Sequence, residues 1–296
     1  MTQESNIVNL GATTRSNEGR RIMKVMLGRK VVVLGMAVIL VFIIVAIFAP
    51  LLAPYDPYAQ NLNVVRQQPS AAHWLGTDAL GRDTLSRIIF GARTSLLVGV
   101  VSVGIAAFLG IWLGLIAGYF GGWTYNIIMR FIDALMAFPM ILLALVLAAL
   151  LGGGLKNVVI AIGIALTSLY ARLMCSQVLS AKENDYVTAA RSLGAGNWRI
   201  MVRHLIPNCL PPIIVLITLQ LGTAILAEAG LSFLGIGIQP PQAAWGAMVN
   251  DGYKYLLTTP ILSFAPGRAI MRVVFSFNIV GDGLRDALDP RLRGTL

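Results

Sequence analysis

Residues 185–208 read DYVTAARSLGAGNWRIMVRHLIPN, a polar stretch carrying Arg191, Arg199, Arg203 and His204 inside an otherwise apolar chain. Tyr186, Ala189, Ala190 and Leu193 fall at i, i+3, i+4 and i+7, the spacing that puts side chains on one helix face. Asn184 or Asp185 can cap the start, because a short side-chain oxygen accepts an orphan backbone N–H. Gly194 stands where that helix should stop, since glycine enters the left-handed region without a Cβ clash. Asn197 is a second candidate cap, and Trp198, Met201, Val202 and Leu205 repeat the spacing up to Pro207. This pattern predicts two amphipathic helices meeting at a glycine turn. The first presents alanines and not bulky anchors, which suits insertion into a groove on another protein better than burial among acyl chains. A docking element is expected.

The flanks show what this hairpin interrupts. The 296 residues are 57% hydrophobic and 12% charged, against roughly 45–50% and 25% in soluble domains. The excess is gathered into runs long enough to cross about 30 Å of hydrocarbon, which takes about 20 apolar residues. Such runs occupy 31–52, 95–120, 134–151, 155–174 and 211–234, with a weaker one over 260–281. An all-α, multi-pass membrane protein of six spans follows. The expected layout is a cytoplasmic tail at 1–30, a first span at 31–52 and a periplasmic segment at 53–94. A core of helices two to six follows at 95–281, containing the polar loop 179–208, and a cytoplasmic tail closes the chain at 282–296. Lys and Arg collect on the segments this layout leaves inside, so both termini are expected in the cytoplasm. The same bias accounts for the net charge of +10 with lipid headgroups as its counterpart and no nucleic acid.

Within the spans, glycines 110, 114 and 118 form overlapping G-x-x-x-G units that let a neighbouring helix come close. Pro139 inside the third run is expected to bend it. Glu228 is the conspicuous charge of the fifth run, and an intramembrane ionisable group calls for a functional hypothesis. It is a candidate contact with cargo or with a partner subunit. Arg130 and Asp133, at i and i+3, are a candidate local ion pair. Asp78, Arg82, Asp83, Arg87 and Arg93 form a mixed-sign cluster read as a scaffold that orients the second span. Cys175, Cys209, His73 and His204 are too isolated for disulfide or metal chemistry.

The stretch TAARSLGAGNWRIMVRHLIP (188–207) resembles the EAA loop of ABC-importer permeases: E-A-A, three residues, Gly, nine residues, then I-x-L-P. Ala189, Ala190, Gly194 and Pro207 match, while Thr188, His204 and Ile206 replace the glutamate, isoleucine and leucine. HWLGTDALGRDTLSRIIFGARTSLLVG (73–99), EAGLSFLGIGIQPPQAAWGAMV (228–249) and NIVGDGLRDALDPRLR (278–293) are similar to the C-type permease of dipeptide, oligopeptide and nickel importers. The resemblance implies a six-helix type I importer permease of the bacterial inner membrane. It implies a homologous second permease, two cytoplasmic ATPases holding ATP and Mg, and an external binding protein that delivers peptide. It makes Tyr186, Ala189, Ala190, Arg191, Gly194, Trp198, Arg199 and Pro207 the ATPase-coupling residues. Arg268 and Arg272 depart from the family's apolar last span. With Glu228 they are candidates for the translocation path or the contact between permeases.

The chain has no G-x-x-x-x-G-K-[ST] loop to cradle nucleotide phosphates, so no cofactor is expected on it and hydrolysis belongs to a partner. A membrane enzyme has no support from H-E-x-x-H or a nucleophile elbow. A self-contained secondary transporter would call for inverted repeats around a midplane ion site, and neither is evident. Nickel or another small solute is the alternative cargo.

Overall fold

The computed structural model describes residues 18–288. Most of the tail expected at 1–30, and the end of the tail expected at 282–296, lie outside those residues. The described residues form helices and loops with no strand. α1 (Glu18–Gly28), α2 (Lys30–Ile47) and the short α3 (Ala49–Leu52) open the chain. α4 (Thr84–Phe120), α5 (Gly122–Met136), α6 (Met140–Leu151) and α7 (Gly154–Ala181) follow. Then come α8 (Asp185–Ser192), α9 (Asn197–Arg199), α10 (Ile206–Phe233), α11 (Trp245–Tyr253) and α12 (Ile261–Leu288).

Among the described residues, four helices are long and apolar enough to cross a membrane: α2, α4, α7 and the continuous run Asn197–Phe233. The pair α5 and α6 is long and apolar enough only when taken together, and is bent by 92° at a short break. The break is Ala137–Pro139, where proline has no N–H and disfavours helical geometry in the residue before it. The proline therefore separates two helices and does not merely bend one. α12 has the length of a span, but Arg268 and Arg272 dilute its apolar character. It runs antiparallel to α2: a Cβ at Gly283 would lie 2.7 Å from Val32, Gly35 faces Val280, and Ala46 shares a cluster with Ala269.

Helix ends differ from the hydropathy boundaries in an instructive way. α4 begins at Thr84 and not near 95, because Asp83 caps it: Asp83 Oδ2 accepts from Ser86 N at 2.8 Å and Ser86 Oγ at 2.7 Å. The tightest packing in the bundle joins α4 to α7. A Cβ at Gly110 would lie 2.8 Å from Ala171 N, one at Gly114 2.8 Å from Met174 Cβ, and one at Gly118 2.9 Å from Val178 Cβ. Missing side chains there admit the neighbouring backbone, and dispersion replaces the hydrophobic drive that lipid cannot supply.

One end of the bundle carries a folded cap built from 53–83 and α11. Arg82 Nε donates to Asp78 Oδ2 at 2.6 Å, Arg87 Nη1 to Pro57 O at 3.0 Å, and His73 Nδ1 lies 2.9 Å from Asp83 Oδ1. Arg82, Asp83 and Arg87 are buried, so this cluster is an internal scaffold; Arg93 stands exposed outside it. Trp245, fully buried, donates its indole N–H to Ile88 O at 3.0 Å and ties α11 to the start of α4. The opposite end carries the hairpin.

Candidate functional site

α8 ends as the sequence predicts, through a left-handed glycine. Gly194 has φ of +80°, Ala195 N donates to Ala190 O and Gly194 N to Arg191 O, each at 3.0 Å. This is the reciprocal pairing that satisfies the last carbonyls of a helix. The caps differ from expectation. Asn184 occupies the N-cap position of α8 but turns its amide back to donate to Ala181 O at 3.0 Å. Asn197 does not cap α9; its Oδ1 accepts from the Tyr119 hydroxyl at 2.8 Å.

The second limb is not a separate helix. α9 runs through a π-helical turn, Ile200–Leu205, straight into α10, so hairpin and fifth span are one rod. Pro207 does not end a helix but sits at the first positions of α10. A proline ring clashes with the carbonyl four residues earlier, here Arg203, and a widened turn relieves it. Asn208 Nδ2 donates to His204 O at 2.6 Å within the same turn.

Among the described residues the predicted apolar face of α8 is left largely uncovered. Tyr186, Ala189 and Leu193 are exposed, Leu193 at 88%, whereas Val187 is the residue of α8 buried against the bundle. Arg191 and Arg199 are exposed as well, and Ala190 is half-buried. Trp198 is also exposed, at 64%, but has a partner on α4. Its indole stacks on Trp112 of α4, centroids 5.4 Å apart and planes within 4°. Ile200, Met201 and Leu205 are buried below it. The hairpin is thus a rigid knob held from beneath and bare on one side.

Glu228 is enclosed by this chain's own helices. It is fully buried; Oε2 accepts from Ser95 Oγ at 3.1 Å and Oε1 from Ser232 Oγ at 2.8 Å. Ser232 Oγ in turn accepts from Ile238 N at 3.0 Å. The carboxyl therefore pins α10 to α4 and to the loop after α10, a role sequence reasoning missed because Ser95 is far away in the chain. Arg268 and Arg272 do not pair with Glu228. Both are exposed on α12 beside Phe264, Met271 and Phe275, and Arg268 Nε donates to Phe264 O at 3.4 Å. The antiparallel register sets Arg268 level with the cap end of α2 and Arg272 about one turn deeper. They therefore lie in the outer part of the span and not at its centre.

Asp133 pairs with Arg172 of α7 and not with Arg130. Both partners are about half exposed, the condition in which an ion pair contributes little. A cavity of about 520 Å³ lies between α5 and α7, lined by Arg130, Asp133, Arg172, Asn126 and Ser176.

Apolar helical passes, a scaffolded cap at one end and an open-faced knob at the other define a multi-pass membrane protein, and the family it matches makes it a transport subunit. The comparisons with known proteins agree. Residues 110–294 match the family described as the binding-protein-dependent transport system inner membrane component, and residues 19–69 match the N-terminal transmembrane domain of oligopeptide transport permease C. The chain belongs to this permease family. It is 46% identical to a dipeptide transport system permease protein of Alkalihalophilus pseudofirmus, covering 93% of this chain and 90% of that one. It is 45% identical to a glutathione transport system permease protein of Pectobacterium atrosepticum, over 86% and 85%. A probable D,D-dipeptide transport system permease protein of Escherichia coli is 40% identical over 99% and 98%. The MetNI methionine ABC transporter, solved in inward-facing form, shares the fold at a TM-score of 0.53 and 17% identity, covering 69% of this chain and 96% of that one. These relatives are transport permeases and not enzymes.

Proposed function

We propose that this permease forms one half of the path by which an ATP-driven importer moves short peptides inward, with a homologous second permease forming the other half. Its α8 knob faces the cytoplasm and is gripped by one of two ABC ATPases, which hold ATP and Mg; both termini lie on that side. The cap of 53–83 and α11 then faces outward, where a binding protein releases cargo. One observation carries the reading: the Tyr186, Ala189 and Leu193 face of α8 stands exposed among the described residues, on a hairpin whose second limb is continuous with a span. Relatives named for dipeptide and glutathione transport support a peptide cargo.

The mechanism follows from stiffness. Gly194 locks the turn and the π-helical segment joins the knob to α10 without a flexible linker, so displacement of the knob becomes displacement of the span. Energy from hydrolysis biases a two-state bundle only through contacts that differ between its states. Gly194→Val places a β-branched residue at φ +80°, where L side chains are strained. The four-subunit complex carrying it should lose ATPase association or cargo-stimulated ATP hydrolysis in proteoliposomes. Normal association and normal stimulation would exclude the coupling role.

A further inference from the structure

Beside the burial of Val187 on α8, the hairpin has two attachments to the bundle that run through α9, and the motif accounts for one of them. The first is covalent, through α9, the π-helical turn and α10. The second is lateral: Trp198 stacks on Trp112 at 5.4 Å, and the Tyr119 hydroxyl donates to Asn197 Oδ1 at 2.8 Å. Both lateral contacts land on α4 within its last turns. α4 is itself fused to α7 by the glycine-faced contact at residues 110, 114 and 118, where a Cβ would meet α7 backbone or Cβ atoms. Lys182 Nζ, just past α7, donates to Gly118 O at 3.2 Å and closes the same corner. A push on α9 therefore reaches α10 along the chain and the α4–α7 pair through two aromatic rings.

We infer that Trp112 is a positioning residue for transport: its stack with Trp198 carries hairpin motion into the α4–α7 pair, so that the two halves of this subunit move together. The inference rests on the coupling reading of the hairpin and adds to it the residue that makes the second connection. Trp112 is partly buried in the bundle and on a different helix from the knob. Parallel planes 4° apart transmit lateral force only while both rings are present. Without the stack, α10 still follows the knob while α4 and α7 lag, and hydrolysis is spent without a complete opening.

The test uses the assembled transporter with its ATPases and binding protein in proteoliposomes, reading cargo moved per ATP hydrolysed. Trp112→Leu keeps most of the side-chain bulk and removes the stack. It should lower that ratio about two- to tenfold, the range an aromatic pair contributes, while ATPase association and hydrolysis persist. Trp112→Phe should restore most of the ratio, and the double variant with Trp198→Leu should be no worse than the poorer single. A wild-type ratio in Trp112→Leu, or a double variant whose loss equals the product of the singles, overturns the inference. Failure of the coupling reading looks different: Gly194→Val would then leave association and stimulated hydrolysis intact, whatever Trp112 does.

Discussion

Gly114 offers the sharpest test of how the bundle is held. A Cβ there would collide with the Ala171 carbonyl, lie 2.8 Å from Met174 Cβ and 2.9 Å from Cys175 N. Two of those three atoms are backbone, so no rotamer change relieves the clash and α4 must move away from α7. Overpacking a filled interior costs about 1–3 kcal/mol, and a clash against backbone with the extra methyls of valine belongs at the upper end. Gly114→Val should thus cost about 3 kcal/mol, which for a chain of this size lowers the midpoint by about 5 °C. Gly104 in the same helix is the control, because a Cβ there meets nothing within 4 Å. Gly104→Ala should stabilise by about 0.5–1 kcal/mol through reduced chain entropy alone. The assay is thermal unfolding in detergent followed by circular dichroism. Equal midpoints for Gly114→Val and wild type would refute close backbone approach as the source of the α4–α7 contact.

Three further outcomes follow from the same geometry. Glu228→Ala removes the acceptor for two buried hydroxyls, each unsatisfied group costing about 1–3 kcal/mol. Its midpoint should fall well below that of Glu228→Gln, which keeps an acceptor for at least one of Ser95 and Ser232; equal midpoints count against the pinning role. Asp83→Ala strips the N-cap of α4 and the partner of His73, at about 1–2 kcal/mol for the cap, and should expose 53–83 to protease faster than wild type. Arg172→Ala should shift stability by less than about 1 kcal/mol, because both ends of that pair are half exposed. A large loss there would mean that the 520 Å³ cavity beside it is filled by something that needs the charge.

What was legible in the sequence was whatever a short stretch decides for itself. The glycines at 110, 114 and 118 announce a helix face without side chains, and that face is where α7 packs. Gly194 announces a left-handed stop, since only local backbone sterics are at stake. The longest apolar runs follow from composition alone. Charged turns at helix ends hid from hydropathy: Arg87 and Arg93 masked the first turns of α4, although Asp83 before Thr84 and Ser86 was a readable cap. Pro207 misled for a related reason. A proline is commonly a stop, yet a widened turn ahead of it lets the helix pass through. The long-range partners were beyond reach of any spacing rule. Asp133 had a helical neighbour in Arg130 but pairs with Arg172, 39 residues on, because α5 and α7 cross there. Glu228 is a candidate for cargo or for pairing by its charge alone, and one hydroxyl it meets is that of Ser95, 133 residues earlier. Trp198 belongs by spacing to the face of the second limb, and it stacks on Trp112 of α4 while staying largely exposed. In each case the residue type was right for a polar or aromatic contact, and three-dimensional topology chose the partner. The open face of α8 is the converse: Tyr186, Ala189 and Leu193 are patterned for burial yet stand exposed among the described residues, which is the physical ground for proposing a partner on another subunit.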